Sequence, residues 1–172
     1  MQRTFYYRER TLDDFSGETT FNWHYDRQIF GASLKDTLLF EDKHELDQAD
    51  YLSFMYNDTY SDKIVPWIDP GDLLIHGGML LHIFTAGKLK AAAHSVLMPD
   101  YVGLSRVSQA FFFAPPHYLT IAPPNEEYEA PVVQKHDREL ITDLGGFQHN
   151  IRSGMDYAQF NEQMKVVYEE IF

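Results

Sequence analysis

The first two thirds of the chain read as short strands broken by turns, and that pattern constrains the fold more than any other feature. The cleanest alternation runs from Thr20 to Asp26. Phe21, Trp23 and Tyr25 fall on one face of an extended segment, and Thr20, Asn22, His24 and Asp26 on the other. Residues 4–7 suit an earlier strand, and 11–19 read as a polar loop around Gly17. The acidic stretch 41–50 reads as a surface loop or short helix, and 51–56 as a further strand. Pro70-Gly71-Asp72 is a tight turn feeding the apolar stretch Leu73 to Phe84, which Gly77-Gly78 interrupts as a bend or bulge would. Gly87 turns the chain ahead of 89–97, and Phe111, Phe112 and Phe113 read as a buried strand ending at Pro115-Pro116. Many short strands at this spacing predict a mainly β fold, a sandwich or jelly-roll barrel.

The tail follows another rule. Tyr157, Phe160, Met164, Val167, Tyr168 and Ile171 recur at helical spacing, which predicts a C-terminal amphipathic helix over 155–171 packed on the outside of the barrel. Asp156 or Ser153 is placed to cap it. The 172 residues suffice for one domain with a real core, a strand core over about 2–124 followed by a tail and helix over about 125–172.

Charge and composition narrow the function. With 26 acidic against 14 basic side chains the formal net charge is −12, a field that repels phosphate backbones and anionic lipid, so neither nucleic acid nor a membrane surface is an expected partner. The chain has no cysteine, which excludes disulfides, thiolate metal sites and cysteine nucleophiles. No stretch reads as a signal peptide or reaches the length of a membrane span, so a soluble protein of the cytoplasm is expected.

His24-Tyr25-Asp26 is an H-x-D on a predicted strand, and residues two apart share a face, so imidazole and carboxylate converge on one point. A third ligand from another strand would complete three adjacent corners of an octahedron, the facial arrangement of non-haem Fe(II) enzymes. Alone the motif is weak, since about one H-x-[DE] arises by chance in a chain with eight histidines. A histidine hydrogen-bonded at a strand end would produce it equally. His94 on a later predicted strand closes the triad in the metal reading. Arg106 and Ser108 follow, two apart on a run heading into the core, where arginine is seldom buried without a partner. The pair either grips the carboxylate of a ligand in bidentate fashion or forms an internal salt bridge with one of the many acidic residues.

The order H-x-D, PGD turn, distal His and R-x-S resembles the isopenicillin N synthase-like Fe(II)/2-oxoglutarate-dependent dioxygenases. The segment DPGDLLIHGGMLLHIFTAGKLKAAAHSV follows the family's strand-turn-strand before the distal histidine; FNWHYD, RVSQAFFFAP and MDYAQF match flanking motifs. The resemblance implies a double-stranded β-helix (jelly roll). It implies His24, Asp26 and His94 as Fe(II) ligands, and Arg106 and Ser108 as the seat of the far carboxylate of 2-oxoglutarate. A tyrosine of the N-terminal strand joins that seat, Tyr7 ahead of Tyr6. The implied reaction uses O2, converts 2-oxoglutarate to succinate and hydroxylates, desaturates or cyclises a small-molecule substrate. Two alternatives stand beside it: an Fe(II) oxidase independent of 2-oxoglutarate, in which the Arg-Ser pair holds the substrate's own carboxylate, and a non-catalytic jelly-roll binding module. The family's helical N-terminal region is lacking here, which implies a truncated core or a partner chain covering the exposed surface. Met79 stands where the family often has Asp.

Among the remaining histidines, His82 reads as a core residue on a strand over 79–84, with substrate contact the alternative. His44 and His117 read as loop residues, and His76 shows no charged partner in sequence. Lys88, Lys90 and the patch 135–139 read as solvated surface. Phe30, Tyr25 and Phe112 could line an apolar cavity or simply fill the core.

Overall fold

A computed structural model of the chain describes residues 1–7, 21–40, 44–46, 53–56, 63–64, 66, 68–85, 88–96, 102–121 and 155–169. The readings of 11–19, Gly87, 135–139 and Ser153 lie outside these residues. Every described strand pair is antiparallel, in keeping with the jelly-roll expectation.

The larger sheet is organised by its longest strand, β10 (Leu104–Phe113). One edge of β10 carries β1 (Gln2–Tyr7), with Tyr7 opposite Arg106 and Phe5 opposite Ser108. The other edge carries two strands end to end, β3 (Phe30–Leu34) and β4 (Thr37–Phe40). Beyond these lie β8 (Leu73–Gly77) on β3 and β5 (His44–Leu46) on β4. A second sheet has the order β2 (Phe21–Tyr25), β9 (Ala93–Val96), β6 (Ser53–Tyr56) and β7 (Lys63–Ile64). The pair β11 (Thr120–Ile121) and β12 (Met155–Asp156) joins the tail to the body.

The join between β3 and β4 departs from a regular ladder. Ser33 pairs with Ala110 and Thr37 with Val107, so Leu34, Lys35 and Asp36 stand opposite only Ser108 and Gln109. One extra residue makes this a β-bulge, and a bulge re-aims the side chains that follow it. Ser33 faces the interior cavity; a regular strand would put Lys35 there next, whereas the bulge brings Asp36 to the cavity wall.

Three sequence expectations are corrected. Residues 79–84 form a helix, α1 (Met79–Phe84), rather than a strand. Its first backbone amides are taken by the loop after β2, with Met79 N–H donating to Asp26 O at 2.8 Å and Leu80 N–H to Gln28 O at 3.2 Å. That tertiary capping stabilises a single helical turn which the apolar run alone does not distinguish from a strand. His44 lies on a strand, not in a loop. Phe113 is 55% exposed, because the end of β10 turns its odd-numbered residues away from the cavity.

The C-terminal helix, α2 (Tyr157–Glu169), buries Tyr157, Phe160 and Met164 against Met79, Leu80 and Ile83 of α1 and Ile121. Asp156 caps it: its carboxylate accepts from the Gln159 amide at 2.8 Å while Gln159 Oε1 accepts from the Asp156 amide at 3.0 Å, a reciprocal capping box.

Gly78 shows how tightly α1 grips the loop after β2. Its φ of −97° suits any residue, yet a Cβ there would stand 2.0 Å from the Gln28 carbonyl oxygen. The obstacle is space rather than strain, so Gly78→Ala should lose about 1–3 kcal/mol of stability by overpacking, outweighing the gain of roughly 0.4–1 kcal/mol from a stiffer unfolded chain. The denaturant midpoint measures this. A neutral result would mean that the 26–29 loop yields readily.

Candidate metal centre and its cavity

β2 and β9 are adjacent antiparallel strands, and their register sets His24 directly opposite His94, with ring centroids 4.2 Å apart. Asp26 follows one residue after β2 ends. Its loop is tied down by the α1 amides, by Gly78 N–H donating to Ile29 O at 2.9 Å and by Arg27 Nη1 donating to Asn161 O of α2 at 3.3 Å. One ligand atom from each of His24, Asp26 and His94 lies within 4.8 Å of the other two. His94 Nδ1 is 3.1 Å from the Ala92 carbonyl, which can only accept, so Nδ1 carries the proton and Nε2 keeps its lone pair.

His76, which the sequence left without a partner, belongs to this cluster. On β8 it stands across from Gly31 of β3; its Nε2 is 2.8 Å from Asp26 Oδ2, and its ring is 4.8 Å from that of His94. Gly31 makes the approach possible, since a Cβ there would fall 2.2 Å from His76 Nε2 and 2.5 Å from Asp26 Oδ2. Fifty residues separate His76 from Asp26, so no local pattern could have joined them.

Burial and neighbours set the charges. Burial, the largest influence on Asp26, would raise its carboxyl, but the hydrogen bond from His76 and the charges of His94, His76 and His24 overcome it and hold the group below the usual carboxylate range. Burial, helped by His24 and His76, pushes His94 from its ordinary 6.5 down to about 3, against the pull of Asp26 and of the hydrogen bond to Ala92. The unfolded chain therefore takes up a proton near pH 6.5 that the folded, metal-free protein refuses until about pH 3. The stability linked to His94 is complete above about pH 6.5 and drains away as pH falls from there towards 3. Thermal unfolding of the metal-free protein across that window should show a falling midpoint, with a shallower slope in His94→Gln. Parallel slopes would assign the acid sensitivity to other groups.

A cavity of about 530 Å3 runs from this cluster to Arg106 and Ser108. Its floor is the inner face of the larger sheet, with Arg3, Phe5 and Tyr7 from β1, Arg106, Ser108, Ala110 and Phe112 from β10, and Leu74 and His76 from β8. Tyr25 also lines the cavity. Phe30 is 38% exposed on the sheet's other face. His82, on α1, is fully buried away from the cavity. Tyr6 is 57% exposed, whereas Tyr7 faces inward with the Arg106 guanidinium 5.2 Å from its ring centroid. Burial pushes the Tyr7 phenol up.

Arg106 is 3% exposed, and its anionic partner in this structure is Asp36: Arg106 Nε donates to Asp36 Oδ2, and Ser108 also hydrogen-bonds that carboxylate. Of the two sequence readings of the Arg-Ser pair, the internal ion pair is the one present here. Burial raises the Asp36 carboxyl, and Arg106 and Ser108 offset only part of that rise.

No family model matches the sequence, and no curated protein matches it either. The fold is similar to those of several solved structures. A full-length Neurospora crassa protein in complex with alpha-KG is 16% identical, with a TM-score of 0.61 over 98% of this chain and 44% of that one. A second structure of the same fungal protein holds alpha-KG and thymine. The rice dioxygenase for auxin oxidation is 17% identical, with a TM-score of 0.54 over 92% of this chain and 49% of that one. JOX2 in complex with 2OG, Fe and JA is 20% identical, with a TM-score of 0.50 over 94% of this chain and 42% of that one. The chain thus spans less than half the length of each. Among the described residues no helix is long and apolar enough to cross a membrane.

Proposed function

We propose that the chain is the core of a non-haem Fe(II) oxygenase that uses O2 and 2-oxoglutarate to oxidise a small organic molecule. The observation that carries this reading is the meeting of His24, Asp26 and His94 within 4.8 Å, at one end of a cavity whose other end holds a buried arginine. The donor set fits the metal: two imidazoles and one carboxylate suit Fe(II) and leave open positions for other ligands. The carboxylate ionises easily and His94 stays neutral, so at pH 7 the ligand atoms need shed few protons before binding.

Bound Fe(II) would supply the oxygen and electron-transfer chemistry that couples decarboxylation of 2-oxoglutarate to substrate oxidation. The chain's own residues do the rest. Ala92 fixes the His94 tautomer, and His76 holds one oxygen of Asp26 so that the carboxylate keeps its orientation. Phe5, Tyr7 and Phe112 give the cavity an apolar lining that limits water. Arg106 and Ser108 form a carboxylate seat at the far end, as the resemblance to the Fe(II)/2-oxoglutarate dioxygenases implies. Similar folds hold alpha-KG, and one holds thymine, which supports a small-molecule substrate.

The test is an anaerobic titration of metal-stripped protein with Fe(II) and then 2-oxoglutarate, followed by the weak visible charge-transfer band of the chelate. A band that disappears in Asp26→Ala supports the proposal. Fe(II) binding without a band would favour the oxidase independent of 2-oxoglutarate. Failure to bind Fe(II) would leave a non-catalytic binding module.

A further inference from the structure

The carboxylate seat already contains a carboxylate, and the backbone is shaped to put it there. Without the bulge between β3 and β4, alternation would bring Lys35 beside Ser108, an ammonium next to a guanidinium. With it, Asp36 is 9% exposed and takes both Arg106 and Ser108 as partners. The Tyr7 ring centroid lies 5.2 Å from the guanidinium carbon, and Asp36 holds the Nε edge of Arg106. A second carboxylate cannot enter beside the first without like-charge repulsion in a buried site. Lys35 and Asp36 lie outside both ladders, so neither is held by strand pairing to β10.

We infer that Asp36 is a specificity-determining residue of the cavity, a resident carboxylate that competes with the far carboxylate of a 2-oxo diacid for Arg106 and Ser108. This rests on the proposed function. Its consequence is that a diacid gains little over a 2-oxo monoacid, because the contact that distinguishes them must first be taken from Asp36. The head group common to both acids would be held towards His24, Asp26 and His94, at the other end of the cavity, and does not sense the exchange.

The experiment compares 2-oxoglutarate with 2-oxobutyrate on anaerobic Fe(II)-loaded protein, by calorimetry and by the chelate band, in wild type, Asp36→Ala and Asp36→Asn. Wild type should prefer the diacid by less than about tenfold, where a direct charge-assisted contact with arginine is ordinarily worth that or more. Asp36→Ala should bind 2-oxoglutarate at least ~10-fold more tightly, with 2-oxobutyrate shifted less than ~2-fold, and acetate should then compete with the diacid. Asp36→Asn, which keeps the shape and drops the charge, should gain in the same direction. A wild-type preference for the diacid above about 100-fold would overturn the inference, as would unchanged or weaker diacid binding in either folded variant, since Asp36 would then serve to orient Arg106. The wild-type comparison decides even if Asp36→Ala does not fold. If Fe(II) binds but neither acid does in any protein, the cosubstrate assignment itself fails, and the inference with it.

Discussion

His94→Ala should weaken Fe(II) binding by more than ~100-fold while leaving the chain folded, and His76→Phe by roughly 10–100-fold, the usual cost of an outer partner of a metal ligand. The contrast separates holding the metal from orienting its ligand. His94 offers the lone pair of Nε2, because its proton sits on Nδ1 and is donated to the Ala92 carbonyl, and an alanine offers nothing in its place. His76 acts through Asp26: without it the carboxylate stays in position but loses its 2.8 Å hydrogen bond, and its proton affinity rises. Fe(II) affinity measured between pH 6 and 8, with circular dichroism as the control for folding, checks both. Equal losses in the two variants would make His76 a ligand in its own right. No loss in His94→Ala would remove the triad from consideration.

Arg106→Leu should cost about 3–5 kcal/mol of stability at pH 7, the penalty for leaving one partner of a buried ion pair uncompensated. Both side chains are almost completely enclosed, at 4% and 3% exposure, so solvent offers Asp36 little relief. Protonation offers more. Burial already raises the Asp36 carboxyl, and without Arg106 it rises further. With the carboxyl raised in the fold, the unfolded chain ionises first, so the penalty grows as pH climbs above the ordinary carboxylate value, and the deficit relative to wild type should be largest at pH 7 and shrink towards pH 4. Adding Asp36→Leu to Arg106→Leu should recover most of the loss, because two apolar groups of similar size need no partners. Urea unfolding of wild type, Arg106→Leu, Asp36→Leu and the double variant forms a double-mutant cycle. A deficit below ~1 kcal/mol, or one independent of pH, would show that water reaches the pair.

Parts of this design are open to inspection in the chain itself. The alternation of 20–26 announces a strand that presents His24 and Asp26 together, and the spacing of Tyr157, Phe160 and Met164 announces the helix they bury. Other parts are not. The run 79–84 is apolar and short, equally suited to a strand or a helical turn, and the 26–29 loop decides it by accepting the α1 amides. Tyr6 and Tyr7 are chemically alike, and only pairing with β10 turns Tyr7 towards Arg106.

Legible along the chain are the candidate donor groups and their local geometry: an H-x-D on an extended segment, a distal histidine, an arginine and a serine two apart, and no thiol to compete. These follow from residue type and from the strand's period of two, both of which act over neighbouring residues. Which groups meet is settled by the packing of distant segments. His76 reaches Asp26 across the β3–β8 pair because Gly31 leaves room, and Asp36 rather than Lys35 reaches Arg106 because one extra residue opposite β10 inverts the alternation. Register is a property of two strands together, so no reading of one segment contains it.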